Sequence, residues 1–175
     1  MVRFATIGSN TITDKFLQAA QAVEGFSLVG VYSRTESRAR AYAQEKKAKK
    51  WYSSMETLCA DAQIDAVYVA SPNAFHKQQC IQLMNAGKHV ICEKPITVEP
   101  EELMELQALA EEKSLIYMEA IMMLHLPQRE LLRKALRRIG RVTTARFDFS
   151  QLSSKYPALL AGELPNIFNP RLATG

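Results

Sequence analysis

Short apolar runs alternate with stretches whose apolar residues recur at helical spacing, and this alternation continues over the first two-thirds of the chain. Arg3 to Ile7 reads as a strand ending at Gly8, with a turn over Ser9 to Thr13. A helix then places Phe16, Leu17 and Ala20 on one face and closes at Gly25. Ser27 to Tyr32 forms a second strand, ended by Ser33-Arg34, and Glu36 to Lys47 a charged, alanine-rich helix. Trp51-Tyr52 is a short third strand. Ser53 stands three residues before Glu56, the spacing of a capping box, so a brief helix through Leu58 and Cys59 is expected.

Ala66 to Ala70 is a near-continuous apolar run, as a strand covered on both faces requires. Ser71-Pro72-Asn73 ends it, and Asn73 is placed to cap a helix carrying Cys80, Ile81 and Met84 as far as Gly87. His89 to Cys92 is another buried strand. Pro100 suits the first position of a helix with the stripe Leu103, Leu106, Leu109 and Ala110, and Leu115 to Met118 is the last strand of the series. Strand–helix alternation with short links predicts an α/β fold, a parallel sheet with helices on both faces.

The pattern changes after Glu119. Pro127 begins a helix with Leu131, Leu132 and Leu136 on one side, and Gly140 ends it. Arg141 to Ser150 alternate like a half-exposed strand, with Val142, Ala145, Phe147 and Phe149 as its apolar members. Gln151 to Gly175 are rich in turn residues and show no periodicity. One helix, one strand and a tail cannot enclose a core. The expected organisation is therefore a domain over residues 1–120, followed at 121–175 by the incomplete start of an α+β domain. The uncovered strand face at 140–150 predicts self-association, hence a homo-oligomer.

Composition narrows the possibilities. A hydrophobic fraction of 47% beside 23% charged residues is that of a globular protein, and no run approaches a membrane span. Met1 leads directly into a strand with no separate apolar leader, so the expected address is cytoplasmic, with no membrane partner. Cys59, Cys80 and Cys92 form no metal-ligand spacing, and His76, His89 and His125 are scattered; no metal is expected and the thiols read as buried. The net charge of +4 invites a nucleic-acid reading. Its clearest cluster, Lys46-Lys47-Ala48-Lys49-Lys50, lacks interleaved aromatics and reads as a solvated helix end, so no nucleic-acid partner is expected.

The turn Gly8-Ser9-Asn10-Thr11-Ile12-Thr13 occupies the place of a G-x-G-x-x-G phosphate loop between strand and helix. Gly8 gives the tight turn. Asn10 stands where a second glycine usually does, and asparagine tolerates left-handed backbone angles. Thr13 takes the helix–strand contact. Amides at the helix start attract phosphate. The second strand ends not in the acid that binds a free ribose 2′-hydroxyl but in Ser33-Arg34, with Arg38 one helical turn on. A hydroxyl and guanidinium forks suit a 2′-phosphate, which favours NADP over NAD; the plainer alternative is that Arg34 and Arg38 only solvate a helix start.

The strand followed by Glu93-Lys94-Pro95, preceded by Ser71-Pro72-Asn73-Ala74-Phe75-His76, resembles the Gfo/Idh/MocA oxidoreductases. The stretch Tyr117-Met118-Glu119-Ala120-Ile121 is most similar to the branch of dimeric dihydrodiol dehydrogenases and NADP-dependent xylose dehydrogenases. The resemblance spans the chain. It implies a Rossmann-type domain and a catalytic or substrate-orienting role for Lys94 beside the nicotinamide. It also implies a cofactor lining that includes Ser71, Pro72, Asn73, His76 and Glu93. Apart from the resemblance, Lys94 reads as a loop lysine, His76 as a cofactor or capping residue rather than a base, and Glu119 equally as a cofactor contact or a cap. The implied reaction is hydride transfer between nicotinamide and a hydroxyl-bearing carbon of a sugar or diol. The family continues into a second domain holding further acid–base residues. A non-catalytic NADP(H)-binding protein or sensor is the rival reading.

Overall fold

In the computed structural model, residues 1–164, 168–169 and 171–172 are described. Six strands form one parallel sheet in the order β3-β2-β1-β4-β5-β6. They are β1 (Val2–Ile7), β2 (Phe26–Tyr32), β3 (Lys50–Tyr52), β4 (Ala66–Val69), β5 (His89–Cys92) and β6 (Tyr117–Glu119). The helices are α1 (Thr11–Ala20), α2 (Glu36–Lys46), α3 (Met55–Ala60), α4 (His76–Asn85), α5 (Pro100–Glu112), α6 (Gln128–Ile139) and α7 (Tyr156–Leu160). The expected α/β architecture is present, with most boundaries shifted by a residue.

Each face of the sheet has its own core, because crossovers on either side of β1 lay helices on opposite faces. On one face Phe4, Val31 and Ala66 pack with Leu17 and Ala20 of α1 and Tyr42 and Ala43 of α2. On the other, Ile7, Val67, Val69 and Val90 pack with Leu58, Leu83, Met84 and Leu106 from α3, α4 and α5. Phe16 stacks on Tyr68 with ring centroids 3.8 Å apart, which seats α1 over β4. Capping follows chemistry already legible at Pro100, where Glu99 and Glu102 close a capping box.

Four local expectations are corrected. Ser54, not Ser53, caps α3, because its hydroxyl is the one within reach of the Thr57 amide. Asn73 caps no helix: residues 73–75 form a 3₁₀ turn after Pro72, and α4 begins behind it at His76. The last strand is Tyr117–Glu119 rather than Leu115–Met118, because the α5 exit holds Leu115, whose amide bonds back to Ala110. Arg141 to Ser150 form no strand; alternation supplies a face, but a strand exists only where a neighbour takes its backbone groups, and none does among the described residues. Phe147 and Phe149 are 93% and 91% exposed there. Within the turn-rich tail, one short helix, α7, spans Tyr156–Leu160. The Ala74 amide meets the Leu172 carbonyl at 3.4 Å, so the tail touches the 3₁₀ turn.

One ionic tie closes the sheet's amino end. Asp65, just ahead of β4, accepts from the Arg3 backbone amide at 2.8 Å and from its guanidinium at 2.9 Å. The Arg3 side chain holds Asp65 at about 2, below the ordinary 3.8. Asp61, bonded to Lys50 and to the Tyr52 hydroxyl, is likewise held at about 2. Both carboxylates bind protons more tightly in the unfolded chain, so their stabilisation is complete above pH 3.8 and is lost as pH falls toward 2. Urea midpoints measured through this window should fall with pH, and the slope should flatten in Asp65→Asn. An unaltered slope in that variant would remove the tie from the account.

Candidate cofactor site

The carboxyl ends of β1, β2 and β4 meet around an open cleft of about 670 Å³, where the strand order reverses on either side of β1. Such a switch point is where open parallel sheets hold ligands, because neighbouring loops turn to opposite sides and leave a crevice. Gly8, Ser9 and Asn10 from the first loop, Ser33, Arg34 and Arg38 from the second, and Ser71 and Pro72 from the third all line it. The lining contains two guanidinium groups and no carboxylate.

Gly8 has φ +104°, and a Cβ there would come within 2.5 Å of the Ala70 carbonyl oxygen. Only glycine lets the chain turn this close to β4. Asn10 does not adopt a left-handed backbone; it is extended, at φ −108°, and is the N-cap of α1. Its side-chain oxygen accepts from the Ile12 and Thr13 amides at 3.1 and 3.0 Å, while its amide nitrogen donates to the Ala70 carbonyl at 2.9 Å. The expected turn over Ser9–Thr13 is therefore shorter, and α1 starts at Thr11 because the cap is already in place. Thr13 is buried and its hydroxyl also reaches Asn10.

This capping decides which donors remain. The Ile12 amide is already bonded to Asn10, whereas the amides of Ser9, Asn10 and Thr11 donate to no acceptor among the described residues. Three free N–H groups at the positive end of a helix suit a phosphate group. Arg38 crosses from α2 to this loop, giving 2.7 and 3.2 Å contacts to the Ser9 hydroxyl and carbonyl. Arg34, exposed at the end of β2, makes no ion pair among the described residues. The chain's residues thus fit a bound dinucleotide phosphate.

The sequence-derived residues divide into two groups. Thr11, Ile12, Asn73, His76, Glu93 and Lys94 are not in the lining of this cleft. Glu93 and Lys94 follow β5, which lies beside β4, so they stand at the same carboxyl edge one strand further along. Glu93 is buried and accepts from the Tyr68 hydroxyl at 2.5 Å; burial, reinforced by that carboxylate, pushes the Tyr68 phenol upward, so it remains a donor. Lys94 is exposed and is joined to Pro95 by a cis peptide bond. His76 is wholly buried between two carbonyls. Glu119 acts as a tether, accepting from the Ile96 amide at 2.9 Å.

Tyr32, Thr35, Phe75 and Gln79 also line the cleft and were not singled out from sequence. Gln79 lies three residues beyond His76 on α4 and accepts from the Ser71 hydroxyl at 2.6 Å, a helical-spacing signal visible in the sequence. Among the described residues no three His, Cys, Asp or Glu side chains gather as a metal site.

Residues 2–121 match the GFO_IDH_MocA model, described as an oxidoreductase family with an NAD-binding Rossmann fold. The chain belongs to this family. It is 42% identical over its full length to scyllo-inositol 2-dehydrogenase (NADP(+)) of Bacillus subtilis (strain 168), of which it covers 53%. It is 31% identical over 86% of its length to human trans-1,2-dihydrobenzene-1,2-diol dehydrogenase, covering 46% of that protein. The fold matches a 3-ketoreductase from Actinomadura kijaniata, solved with NADP and TDP-benzene, at TM-score 0.74 and 30% identity; the match covers 78% of this chain and 42% of that one. The chain spans about half the length of the curated relatives it matches.

Asn10 bears on both the helix and the loop. Asn10→Ala should cost roughly 1–3 kcal/mol, the sum of a lost cap and a lost buried-side hydrogen bond. Chemical denaturation measures this directly. A cost below about 0.5 kcal/mol would mean that water replaces the cap at no loss.

Proposed function

We propose that this chain binds NADP(H) in the cleft and forms the cofactor-binding part of a dehydrogenase acting on a hydroxyl-bearing carbon of a sugar or small diol. The observation that carries the cofactor choice is the end of β2: Ser33 and Arg34, which has no ion pair among the described residues, line a cleft with no carboxylate in its lining. An acid there would accept from a ribose 2′-hydroxyl and repel a 2′-phosphate. A guanidinium does the opposite, with a planar fork matched to phosphate oxygens. The named activities of the Bacillus relative and the bound NADP of the Actinomadura structure support the same choice.

The bound nicotinamide supplies the hydride chemistry. The chain's own residues divide the remaining work. The Ser9, Asn10 and Thr11 amides hold the phosphates, and Arg38 keeps Ser9 in place. Ser71 and Pro72 form the wall leading from β4 toward the end of β5. Lys94 stands beyond that wall, exposed, where its Nζ would orient a substrate hydroxyl and take or give its proton. Glu93 is fixed by Tyr68 and by the Lys94 amide, at 3.3 Å, so it holds the backbone from which Lys94 projects. Residues 121–175 are assigned to the beginning of the substrate domain, and the intact enzyme is assigned to a cytoplasmic homo-oligomer. The relatives' roughly twofold greater length and the exposed Phe147 and Phe149 support that division.

Titration with NADPH and NADH, followed by nicotinamide fluorescence, tests the reading. NADPH should bind at least tenfold more tightly, and Arg34→Ala should remove most of that difference, as expected for a lost charge-assisted bond. Equal affinity for the two nucleotides would overturn the 2′-phosphate assignment. Binding of neither would overturn the function for this chain.

A further inference from the structure

The ladder between β4 and β5 stops short of the two loops that follow them. Its last backbone bond runs from the Glu93 amide to the Val69 carbonyl at 2.8 Å. Beyond it, no backbone hydrogen bond joins Ser71-Pro72 to Lys94-Pro95 among the described residues. The His76 ring fills that gap. Its Nε2 lies 2.9 Å from the Ser71 carbonyl, and its Nδ1 lies 2.9 Å from the Pro95 carbonyl. The side chain is fully buried.

We infer that His76 is a positioning residue: through the carbonyls of Ser71 and Pro95 it sets the separation between the cleft wall and the turn carrying Lys94. This rests on the reading that Lys94 serves the nicotinamide end of the cofactor. His76 does not line the cleft. Its effect passes through the two loops it holds. Both partners are acceptors, so each bond needs a ring N–H; a neutral imidazole supplies one at a time and a doubly protonated ring supplies both. The ring is buried while Ser71 is half-buried and Pro95 exposed, so water can satisfy a freed carbonyl but does not tie the two loops together as one rigid ring does.

The neighbouring contacts share the task. Gln79, on the same face of α4, accepts from the Ser71 hydroxyl at 2.6 Å. Glu119 accepts from the Ile96 amide and Glu93 from the Lys94 amide, so the turn is held from β6 and β5 as well. These fix each loop separately. His76 alone among them bonds both loops, because its two ring nitrogens project from different points of one rigid ring.

The test compares two ligands of the wild-type chain and of His76→Gln and His76→Ala. One is NADPH; the other is adenosine 2′,5′-bisphosphate, which has the adenosine half and no nicotinamide. Loss of one hydrogen bond's worth of positioning should weaken NADPH about three- to tenfold, with His76→Ala more affected than His76→Gln. Affinity for the bisphosphate should stay within about twofold, because Gly8, Arg34 and Arg38 are untouched. Equal weakening of both ligands would show a general scaffold residue, and unchanged NADPH affinity would show none of the proposed role. Should the variants fail to fold, nitrogen-15 spectra of the wild-type ring decide. A slowly exchanging ring N–H that responds to NADPH and not to the bisphosphate is expected, and a ring indifferent to both overturns the inference. A wild-type chain for which NADPH binds no tighter than the bisphosphate would instead overturn the placement of the nicotinamide end itself.

Discussion

The parallel pairing of β1 with β4 is the constraint on which the rest depends. Their register, Phe4 with Ala66 through Ile7 with Val69, places both carboxyl ends level at the centre of the sheet. β2 pairs on the other side of β1, so the chain leaves β1 and β4 toward opposite faces. The crevice between those departures is not carved from the core but left by the topology. It follows that the polar groups there are loop backbone and helix-start amides, whose free N–H groups suit a phosphate.

Asn10 shows how the loop manages without its second glycine. A glycine would bring backbone close to a ligand by having no side chain. Asparagine instead turns its side chain inward, bonding Ala70 just past β4 and the Ile12 and Thr13 amides of α1. The side chain that would have blocked the approach thus becomes part of the wall. Arg38 adds a second constraint from α2 by holding Ser9. The loop is therefore tied to α1, to α2 and to the end of β4 by its own side chains, an arrangement that would lower the ordering cost of binding a ligand.

Much of this was legible in the chain because it is local. The apolar run at 66–70 and the short run at 89–92 read as buried strands, and Gly8 as the tight turn after the first strand. Ser33 and Arg34 sit at the end of a strand whose position follows from alternation alone. What escaped the sequence was which side chain takes which partner. Ser53 and Ser54 are equally plausible caps by composition, and only backbone direction selects Ser54. His76 reads as a cofactor or capping residue until the fold shows both ring nitrogens engaged elsewhere. Gln79 and Phe75 enter the cleft because α4 and the 3₁₀ turn before it run past it, a fact of packing rather than of motif.

The segment after β6 marks the limit of such reading in a different way. Val142, Phe147 and Phe149 alternate as a strand would, yet Arg141–Ser150 is not one, because hydrogen bonding in a sheet belongs to pairs of segments and not to one. α6 illustrates the same point: Leu131, Leu132 and Leu136 make an apolar stripe, and all three are exposed. Up to Glu119 each element finds its partner within the chain, and the two cores close around Leu106 and Phe4. From Met122 onward the same periodic signals are present with no surface to bury against among the described residues. Periodicity states which face wants to be covered; only a partner covers it, and here the relatives, about twice as long, have the additional chain to provide one.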